Sequence, residues 1–597
     1  MRHSFHAKVA HPAEIARVAF FVEMNVMQSM SYVILVPLLP LLAAIVIGVA
    51  GSVLRERSVR IAAPAVFAAF AGAVATLVLV TLNGPISVRF YEPSTAGLSV
   101  LSLGFFIDRL SAAMMVLITG VSSIIYLYSM RYMQQERGYA RFHALLALTT
   151  FVLLCMVSSA NILMLFIFWQ LLSWLLYLLS YHYSHPPTIE GAFKTYAVLR
   201  VGDVAFLSGI VLAYRLYGTL EFQPLFARAA EVPSTFSLWP GSGLEISAVT
   251  AITLLIFIGA MSKSAQFPMH VWLPASLYAP TPVHALLHAG IINAGGFLIN
   301  RLAPLYGLAP DTLHVAFVIG GLTAIIAAAI MLTQSDIKTM LGFSTIGQMG
   351  YMIMECGLGA FALAIFHLIA HGLFKATVFL NCGNVIHMAR QEPRFPPEHI
   401  HEKAEALPRL PWATGVVMTL LLPLIILLAA HGVLRVPLRD AQGAVIFLFF
   451  AWVTSAQAIL SLYRLRAVGS WKVAGVMVFT MFLVIGTYLW AAESFTYFLY
   501  PAPGEAARYF EAAAFPPWLF DLFVVTVTVL IIGGWAVVYT NVRGEHILIP
   551  RWGLGLMPRL YMWFWNRLYI DTVYMRLGQA LSRLARRVDA ALPEWLP

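Results

Sequence analysis

Three ionisable residues recur every four positions inside one apolar run. The stretch FALAIFHLIAHGLFKATVFLNCGNVIH, Phe361 to His387, is long enough to cross a bilayer, yet it carries His367, His371 and Lys375. Four residues turn an α-helix through about 400°, so the three lie in a slowly drifting stripe on one face. Ionisable groups at bilayer depth are costly and normally face a protein or water-filled interior. Such a stripe has the chemistry of a proton path. The structural alternative is a helix–helix contact whose histidines bond neighbouring carbonyls.

A second group sits in IFIGAMSKSAQFPMHVWLPASLYAPTPVHALLHAG. Lys263 lies in an apolar helix that Pro268 interrupts, because proline removes a backbone donor. Exposed backbone at membrane depth is tolerated where it lines a cavity. Desolvation makes an ammonium costly there, so Lys263 can both gain and lose a proton; a snorkelling lysine near a span end is the plainer reading. His284 and His288 follow one turn apart, the deeper His288 placed to exchange protons with Lys263 through water. Arg200 and Asp203 stand at i, i+3, a self-pairing spacing that could also tune Lys263. Asp336 and Lys338 open a later span, where capping or an interface role is the default.

The elements that position these residues are apolar spans at about 31–52, 60–83, 108–130, 141–158, 160–182, 191–216, 248–267, 282–303, 312–333, 335–356, 360–387, 408–431, 443–465, 470–492 and 517–540. The 597 residues are 60% hydrophobic and 11% charged, against about 25% charge in soluble domains. The chain therefore reads as an all-α polytopic membrane protein of about 15 transmembrane helices. Residues 1–30 leave two readings open, an over-extended reading frame or a surface helix, since Glu14, Arg17 and Glu23 make a poor span. The alternating stretch at 84–107 predicts a hairpin outside the membrane.

The net charge of +10 follows loop placement and is no nucleic-acid footprint. Arg55, Arg57 and Arg60, then Arg131, Arg137 and Arg141, then Lys194, fall in alternate loops. The positive-inside rule then places the start of the first span outside and the C-terminus in the cytoplasm. The 559–597 tail is basic, and Tyr561 to Leu592 reads as one amphipathic helix for the membrane surface or for a partner subunit. The three cysteines show no zinc or iron–sulfur spacing, and no phosphate-binding glycine loop is present, so no metal or cofactor is expected in this chain.

KSAQFPMHVWLP…APTPVHALLHAG, SDIKTMLGFSTIGQMGYM and IFHLIAHGLFKATVFL together resemble the antiporter-like subunits of NADH:quinone oxidoreductase. The subunit 5 or L type, shared with Mrp antiporters and membrane-bound hydrogenases, is most similar, and RVGDVAFLSG points to the L type. The resemblance covers about residues 31–580. It implies N-terminal helices at 31–130, two inverted five-helix repeats with broken helices at 141–303 and 312–465, and C-terminal helices at 470–540. It further implies proton transfer along a central polar axis, with Lys263 the central lysine of the first half, His288 its relay, and His367, His371 and Lys375 the link toward the second.

Three departures bear on function. The family's glutamate after a tryptophan is Gln170 after Trp169 here. The span at 408–431 lacks the family's lysine, with only His431 near its end. The tail NRLYIDTVY, Asn566 to Tyr574, runs into a short basic helix where subunit L continues into a long lateral helix. With these departures the chain more closely resembles the membrane subunit of DAB-type inorganic-carbon accumulation systems. That resemblance implies an inner-membrane, proton- or sodium-conducting subunit with a large cytoplasmic, carbonic-anhydrase-like partner that carries zinc. A pumping subunit of complex I or a hydrogenase relative, and a stand-alone cation/proton antiporter, remain the alternatives.

Overall fold

A computed structural model of the chain describes residues 12–91, 102–183, 185–232, 234–237, 245–391, most of 483–529, and 551–591. The expected spans at 408–431 and 443–465, most of 470–492 and 517–540, and His431 lie outside the described residues.

The first eleven expected spans each fall on helix, the eighth on two short helices joined by a π turn. They begin with α1 (Pro12–Leu54) and α2 (Val59–Asn83), joined by the tight turn Arg55–Ser58. The hairpin β1 (Ile86–Tyr91) and β2 (Leu103–Ile107) follows, antiparallel with Ile86 opposite Ile107. Then come α3 (Arg109–Tyr132), α4 (Tyr139–Ser158), α5 (Ile162–Ser180), α6 (Pro186–Tyr217) and the short α7 (Phe222–Glu231). A second small hairpin, β3 (Thr235–Ser237) with β4 (Glu245–Ser247), leads into α8 (Ala248–Lys263). After a break containing the single turn α9 (Trp272–Ala275) come α10 (Thr281–Leu286), a π turn at Leu287–Ile291, and α11 (Ala294–Arg301). The turn α12 (Ala303–Tyr306) leads to α13 (Pro310–Met331), α14 (Ile337–Gly357) and α15 (Phe361–Gln391). Beyond lie α16 (Glu505–Ala512), α17 (Arg551–Trp565) and α18 (Ile570–Ala591).

Among the described residues, eight stretches are long and apolar enough to cross a membrane, with Tyr32–Asn83 counted as one; Ala248–Lys263 is shorter. Thr281–Arg301 is wholly buried by its neighbours, which marks it as the centre of the bundle. Helices in lipid gain little from hydrophobic burial and associate through close packing of small residues. At Gly350 an added Cβ would lie 2.6 Å from the Ala324 nitrogen and 2.7 Å from the Gly320 carbonyl, so α13 and α14 touch backbone to backbone.

From Pro12 the chain runs as helix straight into the first span. Scattered charges oppose burial in lipid but do not stop a helix, and no proline falls between Ala13 and Val36. The tail is two helices, not one. Arg567, Leu568 and Tyr569 have φ of 53°, 56° and 56°, in the left-handed region that breaks a helix. The turn is held against the body. The Lys194 ammonium donates to Asp571, Arg567 pairs with Asp571 at 3.5 Å and caps the Phe343 ring, and the Tyr574 hydroxyl donates to the Pro268 carbonyl at 3.4 Å.

Candidate ion-translocation site

Lys263 is the last residue of α8 and is fully buried. A cation suits a helix C-terminus, where carbonyls lack helical partners. The break behind it is satisfied by side chains. The Ser264 hydroxyl donates to the Ile292 carbonyl at 2.7 Å, the Trp272 indole to the Ser262 carbonyl at 2.8 Å, and the Phe267 amide to Thr323 Oγ1 at 2.9 Å. Irregular backbone at membrane depth persists where freed groups find such partners.

The ammonium of Lys263 donates to the Trp169 carbonyl at 3.2 Å and to the Ser173 hydroxyl, with its nitrogen 4.8 Å from the centroid of the Trp169 ring. Trp169 and Ser173 are one turn apart on α5. The Trp169 indole in turn donates to Asp203 Oδ1 at 2.6 Å. Arg200 Nη2 stands 2.7 Å from Asp203 Oδ2, off the hydrogen-bond line, so the contact is an ion pair rather than a hydrogen bond. Nη1 of the same guanidinium donates to Gln170 Oε1. The i, i+3 pairing expected of Arg200 and Asp203 is therefore made, and it joins Gln170, Trp169 and Lys263 in one cluster.

A second cluster gathers on α15. His367 Nδ1 lies 3.1 Å from Glu355 Oε2 on α14, and its Nε2 lies 2.9 Å from Gln348 Oε1. Both ring nitrogens face acceptors, a geometry that accommodates a doubly protonated imidazole. The His371 ring centroid is 6.2 Å from that of His367. Lys375 is buried and donates to the Leu341 carbonyl at 3.4 Å. Leu373 and Phe374 on the other face of α15 are exposed, so the ionisable stripe points inward.

His288 stands in the π turn, where α10, α11 and α15 meet, its ring stacked on Phe379 at 4.2 Å. Its electrostatic neighbours are His284, Lys375 and His371, while those of Lys263 are Asp203 and Arg200. The π turn links the clusters, since Ile292 beside it accepts the bond from Ser264. Both His288 nitrogens, Nε2 of His371 and Oδ1 of Asn293 are buried and have no protein hydrogen-bond partner among the described residues. Buried polar groups of this kind are normally satisfied by water.

The remaining expected residues fall into plainer places. Asp336 caps α14, accepting the Thr339 amide at 2.7 Å. His284 Nε2 lies 3.0 Å from the Ala279 carbonyl and 3.2 Å from that of Leu277, to which Lys338 also donates at 3.5 Å. Sequence reasoning does not single out Glu355, although a carboxylate in the apolar run MGYMIMECG was the available signal. It also passes over the buried fork of Arg301 on Asp108, at 2.7 and 3.1 Å, which ties the end of α11 to the start of α3. No group of three or more potential metal ligands occurs among the described residues.

The family model for "NADH:quinone oxidoreductase/Mrp antiporter, TM" matches residues 159–422, and that for "NADH-Ubiquinone oxidoreductase (complex I), chain 5 N-terminus" matches residues 94–143. The probable inorganic carbon transporter subunit DabB1 of Halothiobacillus neapolitanus is 37% identical over 560 residues, 93% of this chain and 98% of the relative. NADH-quinone oxidoreductase subunit L of Neisseria meningitidis is also 37% identical, over 369 residues, 60% of this chain and 54% of the relative. Among solved structures, the Mrp complex from Dietzia sp. matches with a TM-score of 0.58 and 20% identity, over 94% of this chain and 60% of that one. The archaeal membrane-bound sulfane sulfur reductase matches with a TM-score of 0.54 and 18% identity, over 81% of this chain and 99% of that one. These two likenesses show the fold. With a relative matched almost end to end, this chain belongs to the NADH:quinone oxidoreductase/Mrp antiporter family of ion-translocating membrane subunits, chain 5 type.

Proposed function

We propose that the chain is the proton- or sodium-conducting membrane subunit of an energy-coupled inorganic-carbon accumulation system. The observation that carries this reading is the match to DabB1 over 98% of its length, against 54% for subunit L. The partner is a large cytoplasmic protein with a carbonic-anhydrase-like zinc site, and the pair sits in the inner membrane with the C-terminus of this chain cytoplasmic. Gln170 supports a path tuned differently from that of a respiratory pump, with Asp203 as the counter-charge for Lys263.

In this mechanism Lys263 takes a proton, holding it between Ser173 and the Trp169 carbonyl. Water around the π turn passes it to His288. Lys375, His371 and His367 carry it along the bundle, with Glu355 as the carboxylate at the far end. A conformational change in the partner gates the transfer by shifting the populations of the lysine states. The chain itself performs no bond-making chemistry.

The test is mild-detergent purification of the tagged chain from its native membrane, with mass spectrometry of what accompanies it and a bicarbonate-uptake assay. One large zinc-bearing soluble protein, with uptake abolished by an uncoupler, is the expected result. Recovery of redox subunits and further antiporter-like subunits would overturn the reading in favour of a respiratory pump. Cation exchange by the chain alone would overturn it in favour of an antiporter.

A further inference from the structure

A cleft of about 840 Å³ opens between α1 and α4, far in sequence from the ionisable clusters. Its walls are apolar or small, among them Ile45, Ile47, Gly48, Ala144, Leu145 and Leu148. Its mouth is polar and is built by the turn after α1 and the turn before α4. Arg55, Arg137 and Arg141 stand there with Glu56 and Glu136. The three arginines are exposed and have no ion-pair partner among the described residues. Arg57 in the turn after α1, Arg60 in the first turn of α2 and Arg131 in the last turn of α3, all exposed, add to the positive side of the balance.

Length and charge choose between occupants. From Ala44 to Arg55 the cleft follows α1 for about 16 Å at 1.5 Å per residue. That is about the depth of one leaflet in a hydrocarbon core of about 30 Å, so acyl chains laid along α1 reach from the mouth toward the bilayer centre. Arginines at the open end suit a phosphate, which the guanidinium fork binds with two hydrogen bonds, and basic pockets between helices at the membrane surface hold anionic headgroups.

We propose that this cleft is a binding site for an anionic glycerophospholipid, with its acyl chains along α1 and α4 and its phosphate on Arg55, Arg137 and Arg141. The groove between α2, α3 and α15, about 650 Å³ and lined by residues such as Phe67, Phe70, Val116 and Phe495, supplies an internal contrast. It has no charged residue in its lining, so it offers a chain a seat but gives a headgroup no charge to bind.

The test uses the full-length chain in nanodiscs of phosphatidylcholine carrying a minority of phosphatidylglycerol, with retained lipid counted by native mass spectrometry. Wild type should keep phosphatidylglycerol in excess of its share of the disc. Removing charge in Arg137→Gln/Arg141→Gln should weaken retention about fivefold per arginine. Gly48→Leu fills the cleft from its wall. A Cβ at Gly48 meets nothing within 4 Å, so this variant blocks the seat without disturbing the fold. It should lower retention of the acidic lipid as far as the double arginine variant does. Retention of phosphatidylglycerol only in proportion to its share would overturn the proposal, as would Gly48→Leu retaining as much as wild type. So would crosslinking of Gly48→Cys to a protein instead of to a lipid probe.

Discussion

Asp203→Asn followed by relocation of its charge tests the Lys263 cluster most directly. The substitution is isosteric, so the Trp169 indole keeps an acceptor, but Arg200 loses its counter-charge at 2.7 Å and two cations are left at bilayer depth. At that distance the Coulomb term is about 6 kcal/mol with an effective dielectric of about 20. Breaking a buried pair by removing one partner costs about 3–5 kcal/mol, and the 28% exposure of the Arg200 side chain argues for the low end. About 3 kcal/mol placed on the step in which Lys263 carries charge is a factor of about 100 in rate. Proton flux in vesicles, followed with a pH-sensitive dye at matched protein content, should fall by about that factor. Gln170→Glu in the Asp203→Asn background restores a carboxylate to the other arm of the same guanidinium, and flux should recover to within about tenfold of wild type. Flux in Asp203→Asn within threefold of wild type would refute the assignment. So would a double variant no faster than the single one while both remain folded.

Further outcomes follow from the same contacts. Lys263→Ala and Lys375→Ala should each abolish ion-driven activity while assembly survives, and normal flux in both would remove the proton path. Glu355→Gln removes the carboxylate from His367 and, at about 1.5 kcal/mol for a charge-assisted bond, should slow flux about tenfold with no change in the amount of folded protein. A double-mutant cycle of Lys194→Met and Asp571→Asn should show a coupling of about 1 kcal/mol in protection of the tail from protease; strictly additive effects would mean the ion pair does not hold the tail. Gly350→Ala forces α13 and α14 apart and should cost about 1–3 kcal/mol in a thermal or denaturant stability measurement.

Helices were legible in the sequence because bilayer thickness sets a length, and each of the first eleven apolar runs meets it or nearly does. The inward stripe on α15 was legible because periodicity survives folding: His371 and Lys375 are buried while Phe374 is not. The partners of these residues were not legible. Gln170 and Arg200 are 30 residues apart, and only the packing of α5 on α6 brings them together. Glu355 escapes because a lone carboxylate close to a span end reads as solvated, whereas α15 folds back and covers it. The continuation of α1 toward Pro12 escapes because apolarity was the criterion for a span, and a helix needs only an unbroken backbone ladder. The kink in the tail depends on Lys194, far away in sequence, meeting Asp571.

The π turn at Leu287–Ile291 also has a consequence for how the gene can change. Its i→i+5 bond, from the Ile292 amide to the Leu287 carbonyl at 3.0 Å, absorbs one residue more than an α turn does. Elsewhere in a buried helix, losing one residue rotates everything beyond it by about 100° and scrambles the faces on both sides. Within Leu287–Ile291 the loss of one residue leaves α10 and α11 in phase and converts the turn to an ordinary one. This is therefore the place in the Thr281–Arg301 helix where a single-codon deletion spares the scaffold. What such a deletion takes away is the local widening of the helix at which the His288 ring emerges.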